Sequence, residues 1–311
     1  MSKALKIGLV DLDTSHPEAW LPVLRSMGHE VVAIYDGGTV WSEGYGQFFS
    51  QKHDIPHVCS ELADMVELVD LAIVHSCNWD LHLTRAEPFL VAGRAVLLDK
   101  PMVGNLRDAQ TLLDWAARGW RVAGGSSLRW SSEVAAFLGQ AESERGRTHT
   151  VLAGCAVDEF NYGIHAYALL CHIMGPGAAR VRHIGGSTQK LLQATWRDGR
   201  TGLLSIGAQP GYLPFHATII TDKVLRQIQV DSSQVYRKLL EAVLPYLSGE
   251  TDQIPMSMAE LLEPELLALA ARQSWLNRGQ EVCLTDLRLD DPGYDGAAFA
   301  VGYRRTKRKG Q

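Results

Sequence analysis

The stretch Val69-Asp70-Leu71-Ala72-Ile73-Val74, then Leu81-His82, then Ala92-Gly93-Arg94-Ala95-Val96-Leu97-Leu98-Asp99-Lys100-Pro101, decides the fold. Two short β-branched and leucine-rich runs flank an amphipathic segment, the pattern of buried parallel strands joined by a helix. Working outward, the same alternation runs from residue 6 to about 125. Strands are expected at Lys6–Val10, Val31–Tyr35, Leu71–His75, Ala95–Leu98 and Arg121–Ala123. Ser15-His16-Pro17-Glu18 reads as a capping box, with Ser15 as N-cap and Glu18 at N3. Asn105 with Asp108 starts another helix, whose stripe Ala109, Leu112, Leu113 and Ala116 should pack on the sheet before Gly119 stops it.

Beyond residue 125 the strand-like runs lengthen: Thr150–Val157, Lys190–Trp196, Thr201–Gly207 and Phe215–Thr221, with Asp198-Gly199 as a hairpin turn. These predict a largely antiparallel sheet. Helices follow at Ser233–Leu247, stopped by Ser248-Gly249, and at Ser257–Leu276. The second opens with a Ser257/Glu260 capping box, and Pro264 should kink or restart it. The expected class is α/β: a Rossmann-type doubly wound sheet in residues 1–125, an α+β substrate and oligomerisation domain in 126–300, and a basic solvated tail in 301–311.

A net charge of −5 over 311 residues offers no positive field for nucleic acid or an anionic membrane. The cluster Arg304 to Lys309 reads as part of the tail. No apolar run approaches the ~20 residues of a membrane span, and Met1 to Lys6 lacks a signal-peptide core, so a cytoplasmic protein is expected. Five cysteines without a Cys-x-x-Cys pair argue against structural zinc or a disulfide framework. The eleven histidines are dispersed and no metal site is expected. No Gly-x-Ser-x-Gly elbow supports a serine hydrolase.

Several segments recur together in one order: the βαβ stretch ending Asp99-Lys100-Pro101, Ser126-Ser127-Leu128-Arg129-Trp130, Tyr162-Gly163-Ile164-His165 with Ile173-Met174-Gly175, Trp196-Arg197-Asp198-Gly199, and Pro255-x-Ser257-x-x-Glu260. In this the chain resembles the Gfo/Idh/MocA oxidoreductases, the group of glucose-fructose oxidoreductase and inositol dehydrogenase. Asp99 stands where the family's Glu-Lys-Pro signature has Glu. The resemblance spans residues 6 to about 285.

The first loop departs from the dinucleotide fingerprint, which needs glycines so that backbone can approach a diphosphate at a helix N-terminus. Here Gly8 precedes Leu9-Val10-Asp11-Leu12-Asp13-Thr14-Ser15-His16. Asp11 and Asp13 would repel a diphosphate unless they point away or Thr14, Ser15 and His16 supply donors. Asp36 lies 28 residues after Gly8, near the position of the acid that takes the adenosine ribose and selects NAD over NADP. It reads equally as a turn residue in Asp36-Gly37-Gly38. For a cofactor, the resemblance singles out Gly8, Leu12, Asp13, Thr14, Asp36, Ser76, Asn78, His82, Asp99, Lys100 and Arg129. The cofactor is NAD, or no dinucleotide at all.

The resemblance further implies that Lys100 faces the nicotinamide and that His165 opposes it, the two sharing proton transfer. Asn161 stands four residues before His165, where the family has Asp, and it can orient but not accept a proton. Ala168 replaces an acid three residues after His165. Asp158 and Glu159 lie nearby in sequence. Lys100, Arg129, Trp130, Tyr162 and His165 are the substrate candidates, Arg129 as an anion clamp and the aromatics as stacking platforms, core packing being the alternative for each aromatic.

The implied activity is NAD-dependent hydride transfer to or from a sugar, cyclitol or related polyol by a homo-oligomer, dimer or tetramer. Its partner is a small molecule, not nucleic acid or membrane. The loop and Asn161 leave two alternatives open: a small-molecule-binding regulatory protein, and an acid–base isomerase or lyase without nicotinamide turnover.

Overall fold

The computed structural model describes residues 4–211 and 213–308. Met1 to Lys3 and Lys309 to Gln311, part of the readings of the two termini, lie outside the described residues.

The first sheet holds β1 (Lys6–Val10), β2 (Glu30–Tyr35), β3 (His57–Cys59), β4 (Leu71–Val74), β5 (Ala95–Leu98) and β6 (Val122–Gly124). All pair in parallel in the order β3-β2-β1-β4-β5-β6. Strands β4 and β5 are buried on both faces, which explains their unbroken apolar runs. The order reverses between β1 and β4, and at that point an open α/β sheet leaves a crevice outside its carboxyl ends.

Helices α1 (His16–Ser26), α2 (Tyr45–His53), α3 (Leu62–Val66), α4 (His82–Val91) and α5 (Leu106–Ala117) cover the sheet. Helix α5 starts as expected, with the Asn105 side chain accepting from the Asp108 amide. The α1 capping box does not form: Ser15 makes no side-chain cap, the His16 amide donates to Thr14 Oγ1, and Glu18 turns to Lys52. Gly8 has a packing role. It lies inside β1, where a Cβ would come within 2.5 Å of Met65 Sδ, so strand-to-helix packing requires glycine here.

After the short α6 (Ser132–Leu138) and α7 (Glu142–Arg145) come β7 (Thr148–Gly154), α8 (Gly163–Met174), β8 (Ala178–Gly185), β9 (Lys190–Trp196), β10 (Thr201–Ile206), β11 (His216–Thr221) and β12 (Leu225–Gln229). Then follow α9 (Val235–Leu247), α10 (Met258–Leu276), β13 (Val282–Cys283) and α11 (Gly296–Arg308). The second sheet has the order β12-β11-β7-β10-β9-β8-β13. Its pairs are antiparallel except β7 with β10, which are separated by a long connection through α8, as parallel neighbours require. Gly199, at φ 87°, turns β9 into β10 as expected.

Three findings alter the expected layout. Helix α10 forms its capping box and runs unbroken through Pro264, because the buried residues on either side, Leu261, Leu262 and Leu267, anchor it. Leu239, Leu240, Val243 and Leu244 of α9 join Leu5, Ile7, Trp20 and Leu24 in the core of the first sheet. A cut at residue 125 therefore does not divide the packing. Residues 301–308 are the helical end of α11, with 301–307 largely exposed to solvent, and the first amides of that helix, Gly296 and Ala297, donate to Asp80 Oδ2 at 2.9 and 3.1 Å. All five cysteines are free. Among the described residues no helix is long and apolar enough to cross a membrane.

Candidate functional site

Lys100 follows β5 directly, and its chain crosses to the segment before α8. Its Nζ donates to the backbone oxygen and to Oδ1 of Asn161, each at 2.9 Å, and lies 5.3 Å from the Tyr162 ring centroid. Burial pushes the Lys100 ammonium below its ordinary pKa, against the opposing pull of Asp99. His165 lies one helical turn after Asn161. Its Nδ1 meets Ser126 Oγ at 2.7 Å and Phe215 packs edge-on at 4.9 Å. Burial, with the Lys100 charge behind it, holds His165 well below the usual histidine range, so the ring is neutral at physiological pH. Lys100, Asn161, Tyr162 and His165 thus meet in one crevice between the two sheets.

Asp99, beside Lys100, is buried and carries a network that sequence reasoning missed. Its Oδ2 meets Nδ1 of His16 at 2.5 Å and Nδ1 of His75 at 3.2 Å, while its Oδ1 accepts from the Lys100 amide at 2.7 Å. Burial alone would raise this carboxyl, but the two imidazoles overturn that and hold it well below the usual range. His16 stacks on Trp20 at 5.9 Å and meets Tyr236 edge-on at 5.1 Å.

The dinucleotide loop is closed on itself. Asp11, Asp13 and His16 stand at the i, i+2, i+5 spacing of Gly-x-Gly-x-x-Gly, and Asp11 keeps the glycine-like φ of 61°. Asp11 accepts from the Gly37 amide at 2.9 Å and from Arg85 at 3.2 Å. Asp13 accepts from the Cys77 amide at 2.9 Å and Ser76 Oγ at 3.2 Å. Burial, then Asp11, raises Asp13 to about 7. Leu12 is buried, and its carbonyl accepts from Trp41.

Helix α11 lies over the same carboxyl edge. Ala300 is buried against Val40 and Cys77, Phe299 packs on Trp79 at 5.0 Å, and burial raises the Tyr303 phenol above its ordinary pKa. Arg304 lines a 440 Å³ hollow together with Asp36, Trp41 and Tyr45. Asp36 Oδ1 accepts from the Gly38 amide at 3.1 Å, its turn role. The glycine positions carry side chains and α11 covers the groove, so these residues do not fit a dinucleotide in its ordinary pose.

Other expected residues are placed elsewhere. His82 is fully buried, its ring nitrogens facing the Met102 and Ser76 carbonyls at 3.0 and 2.9 Å. The Asn78 side chain caps the turn Trp79–Leu81. Arg129 is buried, donates to the Leu261 carbonyl at 2.8 Å, and lines a separate cavity with Cys171, His172 and Glu260. Trp130 packs near His172 at 6.0 Å, away from Lys100. Asp158 is occupied by the Phe160 and Tyr162 amides at 2.9 and 3.0 Å, and Glu159 lies 3.9 Å from Lys190.

Residues 5–123 match the sequence profile of the oxidoreductase family with an NAD-binding Rossmann fold, Gfo/Idh/MocA. Over these residues the chain is similar to that family. A Salmonella typhimurium protein named as an oxidoreductase, YceM, is 34% identical over 118 residues, which are 37% of this chain and 36% of that protein. This chain thus aligns with little more than a third of that relative's length. Scyllo-inositol dehydrogenase from Lactobacillus casei, solved with NAD(H) and scyllo-inositol, superposes with TM-score 0.78 at 14% identity, covering 91% of this chain and 100% of that one. GenD2 from gentamicin A biosynthesis, solved with NAD, gives 0.76 at 16% identity over 91% and 97%. At such identities the likeness is one of fold, and it runs through both sheets.

Proposed function

We propose that this chain is an enzyme acting on a sugar, cyclitol or related polyol, with Lys100 as the group that moves a hydroxyl proton. The observation that carries this reading is the Lys100 ammonium nitrogen held at 2.9 Å by both oxygens of Asn161 in the crevice that also contains His165. Asn161 orients the amine but takes no proton. His165, neutral and bonded to Ser126 Oγ, serves as a hydrogen-bonding partner for a second hydroxyl. Tyr162 is more than one-third exposed and stacked on Phe215, which offers a face for a sugar ring.

A redox form would need NAD to supply hydride transfer, with α11 displaced from the groove. The nicotinamide-free form, isomerisation or elimination, is favoured by the packing of Ala300 on Val40 and Cys77. Leu152, Ile184, Leu191 and Leu225 are exposed on the second sheet, which supports a homo-oligomer; we place it in the cytoplasm. Substitution Lys100→Met is expected to cut turnover of a polyol substrate by orders of magnitude with an unchanged circular dichroism spectrum. Unchanged turnover overturns the reading. A fluorescence titration with NADH separates the two forms: saturation below millimolar selects the redox form.

A further inference from the structure

We propose that His16, His75 and Asp99 form a binding site for a divalent transition-metal ion of the zinc class, at the carboxyl edge of the parallel sheet. The three residues come from three separate loop ends, after β1, β4 and β5. One ligand atom from each lies within 4.8 Å of the others. Two imidazole nitrogens and one carboxylate oxygen make a donor set suited to zinc and its neighbours, and disfavour magnesium or calcium, which prefer oxygen.

The spacing is close to what an ion requires. Ligands about 2 Å from a tetrahedral centre lie about 3.3 Å apart. Nδ1 of His75 is already 3.2 Å from Asp99 Oδ2, and Nδ1 of His16 needs to retreat by less than an ångström from its 2.5 Å contact. His16 is the ring free to do this, because its side chain is at the crevice edge with 13% exposure while that of His75 is fully buried.

The surroundings fit as well. Asp99 Oδ1 is held by the Lys100 amide at 2.7 Å, which leaves Oδ2 as a one-oxygen ligand fixed from behind by a second hydrogen bond. Trp20 and Tyr236 wall the His16 ring. Three protein ligands leave a coordination position for water or a substrate oxygen, the open arrangement of reactive rather than purely structural zinc sites. The competing state is a hydrogen-bonded His–Asp–His relay that binds no ion.

The test uses the full chain, stripped with a chelator and titrated with Co²⁺, whose visible absorption reports coordination, and then with Zn²⁺ in competition. We expect one equivalent per chain and a weakening of about 100-fold in His16→Gln and in Asp99→Asn. His172→Gln, in the separate cavity, should bind as the parent does. Thermal melts confirm folding, and if Asp99→Asn does not fold, His16→Gln decides alone. Absence of a saturable spectrum, or unchanged affinity in His16→Gln, overturns the site. Metal binding is read without turnover, so its outcome is separate from the role given to Lys100.

Discussion

Asp13 is buried with one oxygen shared by Cys77 and Ser76 and the other, Oδ1, without a partner among the described residues. Its folded pKa is raised from 3.8 to about 7 by burial and by Asp11. The folded state therefore prefers the protonated acid. Its contribution to stability is fully present below pH 3.8 and is lost as pH rises through 7. The whole shift corresponds to about 4 kcal/mol, and the part crossed between pH 5 and pH 8.5 to about 3 kcal/mol. Asparagine reproduces the neutral acid, with its oxygen toward Cys77 and Ser76, and does not titrate. Asp13→Asn should therefore gain about 3 kcal/mol over the parent on going from pH 5 to pH 8.5. Urea unfolding followed by tryptophan fluorescence at both pH values measures this, and titrating groups remote from Asp13 cancel in the difference. A gap between variant and parent that is the same at both pH values would refute the argument that this carboxyl is desolvated.

A chain ending at Asp295 removes α11 from Val40, Cys77 and Trp79 but keeps the closed loop of Asp11, Asp13 and His16, and should bind NADH no better than the full chain; a gain in affinity would show that α11 alone is the barrier. Gly8→Ala places a methyl against Met65 Sδ and Val69, and should cost about 1 to 3 kcal/mol in a thermal melt. Arg129→Ala leaves the buried Glu265 carboxylate, whose pKa burial raises and Arg129 lowers, without its nearby cation. With the lost hydrogen bond to the Leu261 carbonyl, that should cost about 1 to 3 kcal/mol in the same assay.

The first sheet was legible because strands buried on both faces must be apolar without interruption, as Leu71–Val74 and Ala95–Leu98 are. The strands that escaped reading lack that signature. His57–Cys59 has three residues, two of them exposed, and Leu225–Gln229 is an edge strand with four exposed positions. Ala178–Gly185 buries only Ala178 and Val181 among arginines and a histidine, which disguises it as polar loop. Helix α11 was misread from its basic residues. Its apolar face, Phe299, Ala300 and Tyr303 at spacings of one and four, was present in the sequence and outweighs the charge once Trp79 and Val40 receive it.

The site divides in the same way. Lys100, Asn161 and His165 were found because each is embedded in a local motif. His75 and Asp99 lie 59 and 83 residues from His16, and no local pattern joins them; the one available signal was His16 at the third glycine position of the loop. That position explains the whole loop. Glycine there normally leaves room for a ligand to receive the backbone donors. Asp11, Asp13 and His16 instead bring buried polar groups, and buried polar groups need partners. Gly37 and Arg85 serve the first, Ser76 and Cys77 the second, Asp99 the third. The three substitutions thus cross-link the ends of β1, β2, β4 and β5 without a dinucleotide. A loop so satisfied has little to gain from a diphosphate, and the polar chemistry of the crevice passes to Asp99, its two histidines and the neighbouring Lys100.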